Sequence, residues 1–244
     1  PRIYQPGNFT VGQDSQLSDD AFGHVVRVLR LSTGDNITFF NGDGYDYVAT
    51  LSDVSKKKAF ATINQRIAIN NESPVNIHLG QGISRGDRMD FTLQKSVELG
   101  VNTITPLFTE RCGVKLSGER LDKKVQQWQK IVISACEQSG RATVPQVLPP
   151  VHLEQWLQQP TKALKINLHP RAKHSIIGLP VDDSEHKKRV RLLIGPEGGL
   201  SNEEIELAAN NHYTEVLLGP RVLRTETAAL TAITALQCKF GDLV

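Results

Sequence analysis

The sequence lacks three features that would each define a class of protein. Among its 244 residues are only three cysteines, widely spaced, which excludes a disulfide-stapled fold and a cysteine-rich zinc site. No apolar run approaches the roughly 20 residues that a membrane-spanning helix needs. The opening Pro-Arg-Ile-Tyr has neither an apolar signal core nor an initiator Met, so we expect a trimmed, untargeted start. Together these absences predict a cytoplasmic protein.

The sequence also lacks a large excess of either positive or negative charge. The 28 Lys and Arg residues nearly balance the 26 Asp and Glu residues, which leaves a net charge of +2. Nucleic acids bind to basic patches on a protein surface, and the total numbers of charged residues do not show such patches. The near-zero net charge therefore permits an RNA partner without indicating one. None of the seven histidines has H-x-x-x-H or H-E-x-x-H spacing, so we expect no metal site.

The first seventy residues show the pattern of several β-strands and one helix. Three runs predict strands, at 36–40, 45–54 and 58–69. Asn41-Gly-Asp-Gly44 supplies residues that tolerate the positive φ of a tight hairpin. Ser18 can cap one helix whose apolar stripe extends to Leu29. We therefore expect residues 1–72 to form a small β-barrel domain.

After the polar segment 70–74 the pattern changes to alternating strands and helices. Predicted strands lie at 75–79, 101–108, 163–168, 190–194 and 214–218. Predicted helices lie at 87–99, 121–138 and 226–239, and Ser201-Asn-Glu-Glu204 is a capping box that begins a fourth. Alternating strands and helices predict an α/β domain with a parallel sheet over residues 73–244.

Two glycine-containing loops follow apolar strands, where ligands bind in open α/β sheets. The first, 195–199, has neither the G-x-G-x-x-G fingerprint nor a P-loop lysine. A tight turn would explain its glycines but not Glu197. The second carries Arg221, Arg224 and Glu226 close to a helix start, where arginines oppose the helix dipole. These arginines either bind a ligand or pair with Glu226 or Glu197.

The two loops also carry a resemblance. Ile194-Gly-Pro-Glu-Gly-Gly199 followed by Leu218-Gly-Pro-Arg-Val-Leu-Arg-Thr-Glu-Thr-Ala228 resembles the paired motifs of the SPOUT, or α/β-knot, RNA methyltransferases. Further matching motifs are Arg2-Ile-Tyr4, Ser84-Arg-Gly-Asp-Arg-Met89, Gln94-Lys-Ser-Val-Glu-Leu-Gly-Val101, Glu110-Arg-Cys112, Glu137-Gln-Ser-Gly-Arg141 and Leu168-His-Pro-Arg171. The chain is thereby identified as resembling the ribosomal RNA small subunit methyltransferase E family over nearly its whole length.

The resemblance implies an RNA-binding, PUA-like β-barrel at residues 1–72 and an α/β domain with a deep trefoil knot at 73–244. It implies a homodimer that uses S-adenosylmethionine to methylate N3 of a uridine in 16S ribosomal RNA (position 1498 of that RNA), within the assembled small ribosomal subunit. No metal is implied. The cofactor-binding residues that it implies are Leu168, His169, Ile194, Gly195, Gly198, Gly199, Leu218, Gly219, Val222, Leu223 and Thr227.

The chemistry of that reaction suggests catalytic groups. Uridine N3 carries a proton at neutral pH and lies on the Watson–Crick edge, so the base must be unpaired and N3 must lose its proton. Arg224 or Arg141 could stabilise the resulting anion, and Glu197 or Glu226 could accept the proton or hold an arginine in place. The candidate RNA-binding residues are Arg2, Arg27, Arg30, Arg111 and Lys115, of which Arg27 and Arg30 are expected to share one helical face.

Two other functions remain open from the residues themselves. One is a non-catalytic, dimeric RNA-binding protein whose α/β half only dimerises. The other is a different α/β enzyme, such as a nucleotidyl transferase that holds phosphate with the first glycine loop. Binding of S-adenosylhomocysteine without competition from nucleoside triphosphates would distinguish methyl transfer from both.

Overall fold

The computed structural model describes residues 1–179 and 189–244, which form two compact units. Unit 1 comprises Pro1–Glu72 and Ile133–Val144, and unit 2 comprises Ser73–Val132 and Pro145–Val244. The division after residue 72 coincides with the predicted boundary. Residues 133–144, which the sequence assigned to the second domain, instead belong to unit 1.

Polar contacts hold this returning segment to unit 1. Arg2 Nη1 donates to the carbonyl of Cys136 over 2.7 Å, and the Tyr4 amide donates to Glu137 Oε1 over 3.0 Å. Arg141 forms an ion pair with Glu72 at 2.6 Å. These partners are far apart in sequence, so the amphipathic pattern of the helix gave no sign of them.

Unit 1 contains a five-stranded sheet in the order β1-β3-β4-β5-β2. Its strands are β1 (Arg2–Tyr4), β2 (Asp14–Gln16), β3 (Asn36–Phe40), β4 (Tyr45–Val54) and β5 (Ala59–Ala68). β1 pairs in parallel with β3, and the other pairs are antiparallel. The three predicted strands correspond to β3, β4 and β5. β1 and β2 were missed because three residues are too few to show alternation.

One helical segment packs its apolar residues against this sheet. Ser18 Oγ accepts from the Ala21 amide and caps α1 (Asp19–Phe22), which continues as a π-helical segment at Gly23–Val28. Arg30 follows the end of this segment with φ of 57°, so the expectation that Arg27 and Arg30 share one helical face was wrong. A left-handed residue turns the chain out of the helical path.

Unit 2 contains an eight-stranded sheet within the described residues. Its strands are β6 (Asn76–Gly82), β7 (Thr103–Phe108), β8 (Gln146–Val147), β9 (Val151–His152), β10 (Leu164–Leu168), β11 (His174–Ser175), β12 (Arg189–Ile194) and β13 (Thr214–Leu217). The order is β11-β13-β10-β12-β6-β7-β8, and β9 also pairs with β7. Every pairing described for this sheet is parallel, which confirms the predicted parallel α/β sheet.

Four of the five helices described for this part of the chain correspond to predicted helices, and the short one at 153–158 was not predicted. The five are α2 (Asp87–Glu98), α3 (Gly118–Ser139, whose last residues belong to unit 1), α4 (Leu153–Gln158), α5 (Asn202–Asn210) and α6 (Thr225–Phe240). The predicted capping box of α5 is present, with Ser201 and Glu204 each accepting from the other's amide. Within the described ranges, no helix combines the length and the apolar character needed to cross a membrane.

Buried polar groups on one face of the sheet form part of the core. Arg191 lies 4.1 Å from the Trp156 ring centre, and burial together with Arg191 lowers the pKa of His78 to about 4. His78 Nε2 hydrogen-bonds with Thr105 Oγ1 at 2.7 Å. His78 is therefore neutral at pH 7. Trp156 is fully buried.

The strand register brings four chain segments to one edge of the sheet. Leu168 at the end of β10 pairs with Ile194 of β12 and with Val216 of β13. Ile194 in turn pairs with Gln81 of β6. Because parallel strands end at the same edge, the loops that follow them converge there, where α/β sheets bind ligands.

Candidate functional site

A cavity of about 750 Å³ lies at this edge, within unit 2. It is formed by the loops that follow β10, β12 and β13 and by the start of α6, with contributions from α2, α5 and the loop after β7. The volume is within the range typical of cofactor and small-ligand sites. Ten of the eleven predicted cofactor-binding residues line it, namely Leu168, His169, Ile194, Gly195, Gly198, Gly199, Leu218, Gly219, Val222 and Leu223.

Two glycines give the cavity loops their shape. Gly199 and Gly219 both have φ of +70°, a conformation that costs other residues steric strain. The Gly199 amide donates to the Pro196 carbonyl over 2.8 Å and closes a tight turn. A β-carbon on Gly199 would find no described atom within 4 Å, so this turn borders open space.

His169 orders the loop after β10. Its Nδ1 accepts from the Arg171 amide at 3.3 Å, and its Nε2 lies 3.2 Å from a carboxylate oxygen of Glu215. The His169 amide donates to the Val216 carbonyl over 3.1 Å. The residue is 9% exposed and lines the cavity, and its role in cofactor binding stays a prediction.

Two carboxylates line the cavity and differ in their partners. Glu197 is exposed, and its Oε1 accepts from the Arg85 amide over 3.2 Å. Glu226 lies in the first turn of α6, and its Oε2 is buried without a hydrogen-bond partner among the described residues. A buried acceptor without a hydrogen bond raises the free energy of the folded state. A hydrogen bond from Glu226 to a donor that enters the cavity would therefore be favourable.

Five arginines line the same cavity and give its mouth a positive character. They are Arg88, Arg111, Arg171, Arg221 and Arg224. Arg111 Nη1 donates to the Gly198 carbonyl at 3.3 Å, and Arg171 Nη2 donates to Asn202 Oδ1 at 2.7 Å. Arg224 is exposed at the residue before α6 and makes no side-chain capping bond. Five guanidinium groups beside two carboxylates favour an anionic ligand or polymer.

Comparison with known proteins identifies the family. A family model described as an RNA methyltransferase domain matches residues 71–237, and one described as an RNA methyltransferase PUA domain matches residues 17–64. The ribosomal RNA small subunit methyltransferase E of Buchnera aphidicola subsp. Schizaphis graminum is 41% identical over 244 residues, covering 100% of this chain and 98% of that protein. This chain belongs to the ribosomal RNA small subunit methyltransferase E family.

Solved structures of similar proteins extend the comparison. A ribosomal RNA small subunit methyltransferase E from Neisseria gonorrhoeae, bound to S-adenosyl methionine, has a TM-score of 0.91 at 44% identity and covers 100% of this chain and 99% of that chain. A putative methyltransferase from Legionella pneumophila, in complex with the bound cofactor SAM, has a TM-score of 0.94 at 48% identity, with coverage of 99% and 98%.

Several residues predicted for the site of this methyltransferase family lie elsewhere. Arg141 is 4% exposed and is not among the cavity-lining residues, because Glu72 binds its guanidinium at both Nε and Nη2. Thr227 is exposed and is also absent from the lining, since the helical turn carries it away from the side of Glu226 and Ala228. Neither residue lines the cavity, and their predicted roles stay predictions.

The predicted RNA-binding residues lie in different surroundings. Arg2 binds Asp46 through two nitrogens and donates to carbonyls of the 133–144 segment, so its donors are used within unit 1. Arg27, Arg30 and Lys115 are exposed outside the cavity lining. Arg111 lines the cavity. The guanidinium of Arg2 is thus engaged within unit 1, and an RNA-binding role for these five residues stays a prediction.

Other cavity residues were missed as site residues by the sequence. Arg88 lies within the Ser84–Met89 motif, whose match could have indicated it, and Asn202 begins the helix of the capping box. Thr225 lies inside the second loop motif beside Arg224, whereas its neighbour Glu226, which also lines the cavity, was already a candidate proton acceptor. Within the described ranges, no group of three or more His, Cys, Asp or Glu residues could hold a metal ion. His186 lies outside those ranges.

Proposed function

We propose that this chain transfers a methyl group from S-adenosylmethionine to N3 of a uridine in 16S ribosomal RNA. The observation that carries the proposal is the cavity itself, which ten of the residues implied by the family resemblance line. Two relatives with TM-scores of 0.91 and 0.94 hold S-adenosylmethionine, and a molecule of that size suits about 750 Å³.

The lining offers groups for each part of this cofactor. Apolar side chains such as Ile194, Leu218 and Val222 suit the adenine ring, and the glycine turns at Gly199 and Gly219 let the backbone approach closely. The arginines suit the cofactor carboxylate. When bound, the cofactor supplies an activated methyl group, and the chain's own residues bind and orient the two reactants.

Removing the N3 proton requires an acceptor and a group that stabilises the uracil anion. We propose Glu226 as the acceptor, because one of its oxygens has no hydrogen-bond partner in the part of the chain that the structure describes, whereas Glu197 accepts from the Arg85 amide. We propose Arg224 as the stabilising group, because its exposed guanidinium lies next to Glu226 in sequence and at the same cavity. A guanidinium can donate two hydrogen bonds in a fixed fork to O2 or O4 of the base.

The RNA partner is supported by the basic mouth of the cavity and by the PUA match to unit 1. We propose that unit 1 binds RNA through Arg27 and Arg30, that Arg111 and Lys115 contribute from unit 2, and that the substrate is the assembled small ribosomal subunit. Such a reaction takes place where ribosomes assemble, in the cytoplasm. The three cysteines, which are free thiols, fit that reducing compartment.

The remaining proposals concern topology and assembly. β13 lies beyond β10 from β12, yet Thr225 after β13 bonds to Gly195 in the loop after β12. A chain that returns past the loop after β10 supports the deep trefoil knot, which is rare in proteins. The small sheet of unit 1 supports the PUA-like barrel. Val222 at the cavity and Ile177 are 81% and 77% exposed, which supports a homodimer that covers them.

The direct test of the proposed activity is mass-spectrometric mapping of 16S ribosomal RNA from cells that lack this protein. We expect one N3-methyluridine to disappear and to return with the wild-type chain. An unchanged modification pattern would exclude the activity. Calorimetry with S-adenosylhomocysteine then separates the enzyme from the non-catalytic RNA-binding alternative, in which this ligand would not bind.

Gly199→Val should abolish most cofactor binding. The new side chain would extend from a turn at the cavity and would strain a backbone with φ of +70°. Gly12→Val is the matched control, because Gly12 also has positive φ, 87°, and open space but lies in unit 1. We expect calorimetry to show at least about a tenfold loss of S-adenosylhomocysteine affinity for Gly199→Val only, with both variants somewhat less stable. Equal affinity in the two variants would remove Gly199 from the cofactor site.

Replacing both Arg27 and Arg30 with Ala should weaken RNA binding and its dependence on salt. Each phosphate contact contributes about 0.7 to 0.9 to the slope of log affinity against log salt, so we expect the slope to fall by about 1 to 2. Lys56→Ala with Lys57→Ala removes the same charge from an exposed hairpin and serves as the control. The measurement is a salt titration of binding to small ribosomal subunits. An unaltered slope would exclude these arginines from the RNA interface.

A further inference from the structure

A buried hydrogen-bond chain joins three segments beneath the cavity. The Thr225 hydroxyl donates to the Gly195 carbonyl over 2.6 Å and accepts from Gln81 Nε2 over 2.9 Å. Gln81 Nε2 also donates to the carbonyl of Gly82 over 3.0 Å. Gln81 is fully buried and Thr225 is 6% exposed. The hydroxyl therefore connects the end of β6, the loop after β12 and the first residue of α6.

The donors determine the direction in which this series of hydrogen bonds runs. The hydroxyl has one proton, which goes to the Gly195 carbonyl, and one of its lone pairs receives the amide of Gln81. The residue after Gly195 is Pro196, so the peptide between them has no N–H and its carbonyl is its only polar group. The hydroxyl thus sets the orientation of that peptide.

Because the backbone packs closely around it, the orientation of the Gly195–Pro196 peptide affects the shape of the cavity. A β-carbon on Gly82 would lie 2.5 Å from the Pro196 nitrogen, so the loops after β6 and β12 touch backbone to backbone. A β-carbon on Gly195 would lie 3.2 Å from Leu200 Cγ. A peptide that turned there would shift the glycine turn at 196–199, whose residues line the cavity.

The same hydroxyl also anchors the beginning of α6. Thr225 is the first residue of that helix, and the Arg224 carbonyl accepts from the Ala228 amide over 2.7 Å in its first turn. Arg224 and Glu226, on either side of Thr225, both line the cavity. One buried side chain therefore relates the position of the glycine turn to that of the proposed reactive groups.

We propose that Thr225, supported by Gln81, is a positioning residue that holds the cofactor-binding turn against the start of α6. This role rests on the proposed function, because it concerns the same site. Thr225 acts through the Gly195 carbonyl and Gln81 acts through Thr225. The shape of the site then depends on one hydroxyl, whose proton goes to the Gly195 carbonyl and which accepts from Gln81 Nε2.

The test compares Thr225→Val, which keeps the shape and removes the hydroxyl, with Thr225→Ser, which keeps the hydroxyl and removes a methyl group. Calorimetry with S-adenosylhomocysteine is done on the full chain, well below the melting temperature of each variant. We expect Thr225→Val to lose at least about tenfold in affinity and Thr225→Ser to stay within about threefold of the wild type. Thermal unfolding measured beside it separates folding from binding.

A Thr225→Val variant that melts earlier yet binds like the wild type would show a merely structural role and overturn the proposal. An equal loss in Thr225→Ser would do so as well. Gln81→Met removes the supporting amide while leaving the bond to Gly195, so we expect a smaller loss in the same direction. Unchanged affinity in this variant would overturn the role of Gln81, even if Thr225→Val failed to fold. A wild-type chain that binds no S-adenosylhomocysteine would instead overturn the proposed function, and the positioning role with it.

Discussion

Arg224→Ala should methylate about 100- to 1000-fold more slowly than the wild type while it binds cofactor and RNA nearly normally. The guanidinium lies exposed at the residue before α6, where it opposes the helix dipole and therefore gains no stability from its position. Its proposed benefit comes only as negative charge develops on the uracil oxygens. An interaction made in the transition state changes turnover and leaves ground-state binding largely intact.

The measurement is single-turnover methylation of small ribosomal subunits at saturating cofactor, with calorimetry for binding. Arg224→Lys keeps the charge but loses the fork, so we expect an intermediate rate. Arg221→Ala removes the same charge from the same loop, and we expect it to lose less than about tenfold. If Arg224→Ala lost cofactor binding but kept its turnover at saturation, Arg224 would be a pocket residue without a role in the chemical step.

Glu226→Gln should lower turnover by about 100- to 10,000-fold, the range typical of a lost general base. Glutamine keeps the size of the side chain and its place in the first turn of α6, but it cannot accept a proton. Cofactor affinity should change little, because the defect lies in proton removal. The rate of the variant should rise about tenfold per pH unit in alkaline solution, since the deprotonated fraction of N3 rises by that factor, whereas the wild type should vary less.

Glu197→Gln is the matched control for this variant. A glutamine oxygen can still accept from the Arg85 amide, so the contact of Glu197 is kept and we expect turnover within about tenfold of the wild type. The measurement is a pH–rate profile of all three proteins under single-turnover conditions. A large loss of turnover in Glu197→Gln with little change in Glu226→Gln would show that Glu197, and not Glu226, is the proton acceptor.

The sequence predicted the class of the fold because its signals are local. The apolar runs at 163–168 and 190–194 correspond to β10 and β12, and Ser201 with Glu204 begins α5 as their spacing indicates. Caps, turns and short apolar runs depend on neighbours within a few residues. Eight of the predicted cofactor-binding residues lie in the paired loop motifs and two more in the Leu168–Arg171 motif, and all ten line the cavity, since each motif is a contiguous piece of chain.

Single side chains were harder to place than segments. Arg141 and Arg224 look equivalent as isolated arginines near helix ends, yet one is buried against Glu72 and the other is exposed at the cavity. Arg2, at the start of a matching motif, is used by Asp46. The distinction depends on a partner that is far away in sequence, and local patterns do not show such partners.

By itself, the sequence determined that this protein has a β-rich first part and a parallel α/β second part, and that its glycine loops follow strands. Only the tertiary structure decided that the loops after β10, β12 and β13 share one cavity, that residues 133–144 return to unit 1, and that Gln81 supports Thr225. The physical reason is that local periodicity sets each strand and helix, whereas strand order sets their neighbours. Gln81 and Thr225 are 144 residues apart, and they meet because β6 pairs with β12 and the start of α6 lies against the loop that follows β12.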